Sequence, residues 1–393
     1  MSAVRRTHLV RLAAALVALC TTGRAGVLPD DRADALFHRY EGGGIQIQGP
    51  SILLRKKLGD SVSLSYNYYV DSITGHVDTV SGASTDAVSG ASEYKEKRTQ
   101  HSVSADLLHG KTTYSGGYIS SKENDYDSKT GYLSVSQDMF GDLTTISFGY
   151  TFGKDTVGQR GNPDFALDPA HRVTRRNWQV GLSQVLTRNL LLGTNFETSE
   201  SEGFLNNPYR KVRYVDAGEA RGYGTQFERY PHTRTGNAGS VQLKYYLPWR
   251  AALDGSYRLY ADTWGILAHT GQLAYTQPAF RRWTFEGRAR YYTQTRADFY
   301  SDLFPYQNAF NFLARDRELA TFKNLTLGAT ATWEFPVSRV SFLQKGTLNL
   351  SWDRLHISYD DYHDLRTVAL TPGTEPLYTL DANVLQFFIS VWY

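Results

Sequence analysis

LTLGATATWEF, residues 325–335, changes character at every step. Leu325, Leu327, Ala329, Ala331, Trp333 and Phe335 form one set, and Thr326, Gly328, Thr330, Thr332 and Glu334 form the other. A period of two means a strand with one apolar and one polar face. One such strand fits a soluble sandwich as well as a membrane barrel. The decision rests on how often the pattern recurs and how the repeats are joined.

It recurs along the whole chain. SVSLSYNYYVD (61–71) places Val62, Leu64, Tyr66, Tyr68 and Val70 opposite Ser61, Ser63, Ser65 and Asn67. In LTTISFGYTF (143–152), Ile146, Phe148, Tyr150 and Phe152 share a side, and in the 281–294 stretch Trp283, Phe285, Gly287, Ala289 and Tyr291 oppose Glu286, Arg288 and Arg290. About sixteen such segments are expected: 35–41, 45–57, 61–71, 99–109, 111–122, 127–138, 143–153, 174–186, 189–199, 235–247, 251–262, 264–276, 282–294, 321–335, 345–357 and 381–393. Gaps after even-numbered segments are short, and the long gaps (72–98, 154–173, 200–234, 295–320, 358–380) all follow odd-numbered ones. Long loops therefore gather at one end of the sheet and short turns at the other. This predicts an all-β fold: a single antiparallel transmembrane barrel of about sixteen strands, with short periplasmic turns and long extracellular loops. A soluble sandwich would need two buried faces and shorter strands.

Aromatic placement points the same way. Trp249, Tyr275, Trp283, Trp333, Phe335 and Tyr393 fall at the short-turn rim, and Tyr68, Tyr150, Phe152, Tyr260, Trp264, Tyr291 and Tyr292 near the long-loop rim. Two aromatic girdles are expected of a membrane barrel. The last segment presents Leu385, Phe387, Ile389, Val391 and Tyr393 on one side. It is expected to close the barrel against the first strand. Phe387, Ile389, Val391 and Tyr393 also resemble a C-terminal signal read by the barrel-assembly machinery.

Composition agrees. The chain has 393 residues, with 27 Tyr, 34 Gly, 2 Met and 1 Cys, a balance that favours β structure over helical bundles. A formal net charge of +3 gives no reason to expect a nucleic-acid partner. Arg5, Arg6 and Arg11, the apolar run LAAALVALC and small residues up to Ala25 form a secretory signal peptide over 1–25. Residues 26–34 then make a periplasmic segment and 35–393 the barrel, exported to the outer membrane of a Gram-negative bacterium. Loss of Cys20 with the signal leaves no thiol chemistry.

RADALFHRYEGGGIQIQGPSILLRK (32–56), SQDMFGDLTT (136–145), GFLNNPYRKVRY (203–214), ADFYSDLFP (297–305) and NFLARDRELATF (311–322) resemble the family known as domain of unknown function 3570. The resemblance runs from about Arg32 to the C-terminus. It implies an outer-membrane barrel and brings no activity, cofactor or catalytic residue.

Function is then sought on the inward faces and in the loops. Asp254, Arg258, Glu286, Arg288 and Arg290 are expected to line a wet lumen and select solutes by charge; the bland alternative is an ion-pair network filling a closed barrel. Sixteen strands ordinarily leave an aqueous channel. In loop 200–234, Phe204, Asn206, Asn207, Pro208, Tyr209, Arg210 and Arg213 form an ordered-looking stretch, because Asn-Asn-Pro favours a turn. This loop narrows the pore, or meets lipopolysaccharide phosphates through its arginines, or is simply solvated. Loop 297–318, with Phe304 at its centre, is too apolar to stay exposed and plugs, caps or receives a partner.

No cofactor and no metal site is expected. YDDYHD (359–364) could hold a surface ion, but a polar external loop is the default. The histidines are scattered, and none has a spacing that names a nucleophile, so an enzyme is not expected. The leading expectation is a porin-like channel for small solutes. The alternative is a structural barrel that anchors or sheathes a redox or export assembly with a periplasmic or lipoprotein partner; a rim hydrolase is the least supported. The remaining partners expected are outer-membrane lipid and lipopolysaccharide.

Overall fold

The structure is a computed structural model that describes residues 27–76, 93–158, 171–337 and 342–393. Sixteen antiparallel strands close into one barrel. In chain order, β1 is Arg32–Gly42, β2 Ile45–Leu58, β3 Val62–His76, β4 Glu93–His109, β5 Thr112–Lys122, β6 Tyr126–Met139, β7 Thr144–Val157, β8 Arg172–Thr187 and β9 Leu190–Gly203. Two short strands, β10 (Lys211–Val215) and β11 (Tyr223–Phe227), pair with each other in a small sheet apart from the barrel. The barrel resumes with β12 Thr233–Tyr246, β13 Ala252–Asp262, β14 Leu267–Ala279, β15 Trp283–Gln294, β16 Phe322–Phe335, β17 Lys345–His363 and β18 Leu377–Trp392. The expected signal peptide lies outside the described residues.

Closure is made by the chain ends. β1 pairs with β18 from Arg32↔Trp392 to Gly42↔Ala382. No edge is left in the barrel wall, which is what allows such a sheet to sit in lipid. Short turns join the strands at the end where β1 begins and β18 stops. There Gly110 adopts φ 61 between β4 and β5, a backbone conformation that costs glycine little.

The two faces follow the sequence alternation. Leu325 and Leu327 on β16, Leu350 and Trp352 on β17, and Leu385 and Phe387 on β18 are all exposed on the outer wall. Sequence-adjacent residues Asn349, Ser351 and Ser390 are buried on the inside. This inversion, apolar outside and polar inside, is how a barrel meets hydrocarbon. On the outer face Trp283 stacks on Phe285 and lies beside Trp333 near the short-turn rim, and Tyr150 lies against Trp178 near the other rim.

Three aromatics near the long-loop rim do not face lipid, and for Tyr260 this is the inward side that the alternation of its strand gives. Tyr260, Trp264 and Tyr292 turn inward and pack on a buried cluster inside the barrel mouth. Trp264 lies in the turn before β14, not in the strand, and donates its indole N–H to the Thr233 carbonyl at 2.9 Å. Position along the chain told how high these rings stand. Tyr260 and Tyr292 share the inward parity of Arg258 and Arg290 on their strands, and the plug gives all three rings something to pack on.

Candidate functional site: a loop plug above a polar lumen

The mouth is filled by two of the long loops. Asn206 and Asn207 set the first one's shape. Asn206 donates to the Glu228 carbonyl at 2.9 Å and accepts from the Tyr230 N–H at 3.0 Å, fastening the loop's start to its end. Asn207 accepts from the Tyr209 N–H at 3.0 Å, forming the turn that Pro208 stiffens. Between these points β10 and β11 make a hairpin. The second loop, 295–321, is laced to it by backbone bonds: Val215 N–H to Phe304 carbonyl, Phe304 N–H to Arg213 carbonyl, and a reciprocal Arg229–Leu313 pair, all 2.8–2.9 Å. Backbone carried inside a barrel must find such partners, because unmade bonds there are costly.

Apolar contacts fix the plug to the wall. Val212, Phe304 and Leu313 form its centre. Tyr300, Ala314, Leu319 and Ala320 pack on Trp264, Ala268, Phe322, Tyr359, Tyr378, Leu380 and Ala382, which are inward residues near the loop ends of β13–β18. On the other side Phe204 reaches Tyr126, Val157 and Val173, and the Tyr209 hydroxyl donates to Asp125. The plug thus touches the wall on opposite sides of the mouth.

Charges lock it. Arg213, with 1% of its side chain exposed, bridges Asp302 and Glu375, bonding Glu375 at 2.6 and 3.0 Å. Arg315 binds the same Asp302 at 2.8 Å and donates to the His363 carbonyl at 2.9 Å, and His363 Nδ1 lies 2.9 Å from Asp302. Burial pushes the Asp302 carboxyl up, but Arg315 and Arg213 outweigh it and hold it below the ordinary range. A second cluster joins Arg210 to Asp316 at 3.2 Å. Beside it Glu228 accepts from the Tyr230 hydroxyl at 2.5 Å and the Arg315 N–H at 2.7 Å. Burial, and next the charge of Asp316, push Glu228 up to about 7.

Asp302, His363 and Glu375 bring possible ligand atoms within 4.8 Å of one another. Two guanidiniums already supply the positive charge those carboxylates face, so the set reads as an ion-pair lock. In YDDYHD, Asp360 pairs with Lys323 at 3.0 Å, Asp361 accepts from the Thr321 N–H at 2.8 Å and Asp364 binds Arg366 at 2.6 Å.

Below the plug the inward faces are polar. Asp254 meets Lys244 at 3.2 Å and Gln242 at 2.8 Å. Arg258 reaches Glu197 at 3.3 Å. Arg288 binds Asp353 at 2.9 and 2.6 Å, Ser351 and Thr330 at 2.8 Å, and Glu286 at 3.4 Å. That reach crosses β16 at Gly328, where a Cβ would stand 2.0 Å from the Asp353 carboxylate and 2.7 Å from Arg288 Nε. Only glycine leaves room for the pair. Arg290 contacts the Tyr292 ring at 6.0 Å.

The structure therefore gathers Phe204, Asn206, Asn207, Pro208, Tyr209, Arg210, Arg213 and Phe304 in the plug, and Asp254, Arg258, Glu286, Arg288 and Arg290 on one lumen wall. Arg210 and Arg213 are buried in ion pairs, so their charge is spent inside the plug and faces no lipid phosphate. Sequence reading missed Glu228, Asp302, Arg315, Asp316 and Glu375. No local signal marks them, since Arg213 and Glu375 lie 162 positions apart.

The inverted faces, the closed wall and the polar lumen define a transmembrane β-barrel of the outer-membrane type. The chain belongs to the family described as "Protein of unknown function (DUF3570)", whose model matches residues 9–353. No curated protein matches it. Among solved structures it is similar to a bacterial polysaccharide outer membrane secretin (9% identity, TM-score 0.46, covering 93% of this chain and 100% of that one). It is also similar to the outer-membrane OmpT of Vibrio cholerae (10%, 0.43, 93% and 100%) and OccK3 (OpdO) of Pseudomonas aeruginosa (9%, 0.42, 93% and 96%). Likenesses this remote carry no inference about solute or partner.

Proposed function

We propose that this barrel is a porin-like channel for small polar solutes in the outer membrane of a Gram-negative bacterium, with loops 204–232 and 295–321 setting its constriction. The observation that carries the reading is the polar wall beneath the plug. A barrel built only as a scaffold has no need to line its interior with Gln242, Ser256, Gln272, Thr326 and balanced ion pairs. Water and solute pass along such a lining at little cost, and a sixteen-strand wall leaves room for them. No catalytic role enters this reading, and it needs no cofactor. Outer-membrane lipid and lipopolysaccharide surround the wall.

The test is conductance of the refolded protein in a planar bilayer. Discrete steps are expected, and they should grow when residues 298–314 are replaced by a short Gly-Ser linker. Silence from protein that is folded by heat-modifiable mobility would end the channel reading. A second reading has one observation in its favour, the buried lock of Arg213, Asp302, Arg315 and Glu375, which suits a static barrel holding a periplasmic or lipoprotein partner. That reading requires a partner to co-purify with a silent barrel.

A further inference from the structure

The rows of inward residues that run across β12–β17 can be compared charge by charge. One row is Lys244, Asp254, Ala274, Arg288, Gly328 and Asp353, joined by direct pairing, with the row of Thr276, Glu286, Thr330 and Ser351 below it. The upper of these two holds two cations and two anions and is balanced. The next row is Gln242, Ser256, Gln272, Arg290, Thr326 and Leu355. Its only charge is Arg290. Above it run Ser240, Arg258, Thr270, Tyr292, Asn324 and Ile357, whose only charge is Arg258. Directly over these rows the plug begins: Gln294, one inward position beyond Tyr292, donates to the carbonyls of Glu318 and Ala320 at 2.9 Å.

Arg258 has a single carboxylate contact, Glu197 at 3.3 Å, from the row above. Arg290 has none: among the described residues its side chain makes no hydrogen bond or ion pair and lies 6.0 Å from the centre of the Tyr292 ring. Arg258 and Arg290, on β13 and β15 with β14 between them, thus have one carboxylate contact between the two of them, in rows that are otherwise uncharged. A guanidinium half-sheltered by protein, without acceptors and beside a like charge, is an unfavourable arrangement unless an anion completes it. Its planar fork of N–H donors suits a bidentate oxyanion.

We propose that Arg290 and Arg258 form an anion subsite at the floor of the plug, taking small oxyanionic solutes of the carboxylate or phosphate type. The inference rests on the lumen being open to solute, as the channel reading has it. It sharpens that reading: on the β12–β17 wall the two rows directly under the plug carry cations and no anion, so this wall would attract anions just below the plug.

The test pairs a binding measurement with conductance. Isothermal titration of the full folded barrel in detergent is made with succinate and, separately, inorganic phosphate. Binding is expected to weaken with added salt and to fall at least tenfold in Arg290→Gln, with Arg290→Lys intermediate and Lys323→Gln on the outer face unchanged. Heat without loss in Arg290→Gln, or no heat with either anion, overturns the proposal. Succinate alone binding, or phosphate alone, identifies the source and supports the site when Arg290→Gln abolishes it. Anion binding by a barrel that shows no conductance would sink the channel and leave the subsite standing. Steps with unchanged ion selectivity in Arg290→Gln would do the reverse.

Discussion

At the residue scale the plug is governed by carboxylates pulled in opposite directions. Asp302 is held low by Arg315 and Arg213, so it stabilises the fold above the ordinary carboxylate range and loses that contribution as pH falls through it. Glu228 is raised to about 7 by burial and by Asp316. Between its ordinary value and about 7 the folded state holds a proton that the unfolded state has released, so its contribution is present at low pH and lost as pH rises. The plug is therefore expected to be tightest in mildly acidic solution. The protection factors of residues 298–314, which are the base-catalysed intrinsic exchange rate at each pH divided by the observed rate, should fall from pH 5 to pH 7.5, and Glu228→Gln should flatten that fall; an unchanged slope would remove Glu228 from the account. Arg213→Ala leaves Asp302 and Glu375 buried with one fewer cation, a loss of about 3–5 kcal/mol for breaking a buried pair. Limited proteolysis should then cut the second loop in a barrel that otherwise stays intact.

At the element scale the strands were legible and the plug was only half so. A strand in a barrel wall writes its two environments into alternate positions, so LTLGATATWEF gives β16 both its span and its outer face. Substituting Leu327, exposed on that face, with Arg puts a charge in hydrocarbon and should cost about 2–4 kcal/mol. Urea unfolding in lipid vesicles would measure it, and Thr326→Arg on the lumen side should cost far less. Equal costs would mean that the faces are misassigned. Loop residues carry no such periodicity. Their apolar content announced that they pack, and Asn-Asn-Pro announced a turn, but β10 and β11 are five-residue strands that form a small sheet apart from the barrel. The inward turn of Tyr260 and Tyr292 follows the alternation that also turns Arg258 and Arg290 inward, while Trp264, outside any strand, is set by the packing of the plug. Glu375 and Asp302 became a site only because the closed wall brings distant loops to one mouth.

At the scale of the whole molecule, the closure made by β18 can be separated from the assembly signal expected of it. β18 closes the wall with β1, and Tyr393 secures the seam from outside the pairing: its hydroxyl donates to the Arg55 carbonyl at 2.9 Å, its N–H to the Asp31 carbonyl at 3.3 Å, and Lys56 lies over its ring at 4.9 Å. If the ring is also what the assembly machinery reads, Tyr393→Ala should lower the outer-membrane yield in cells several-fold. The same variant refolded from urea into detergent should reach the wild-type folded fraction, because it loses only exposed rim contacts worth about 1 kcal/mol. Tyr393→Phe keeps the ring and removes the Arg55 bond, so it should restore the cellular yield. A deficit of equal size in refolding would mean that Tyr393 acts through the seam alone. The machinery would then be reading Phe387, Ile389 and Val391 on the lipid face, or nothing at this end of the chain.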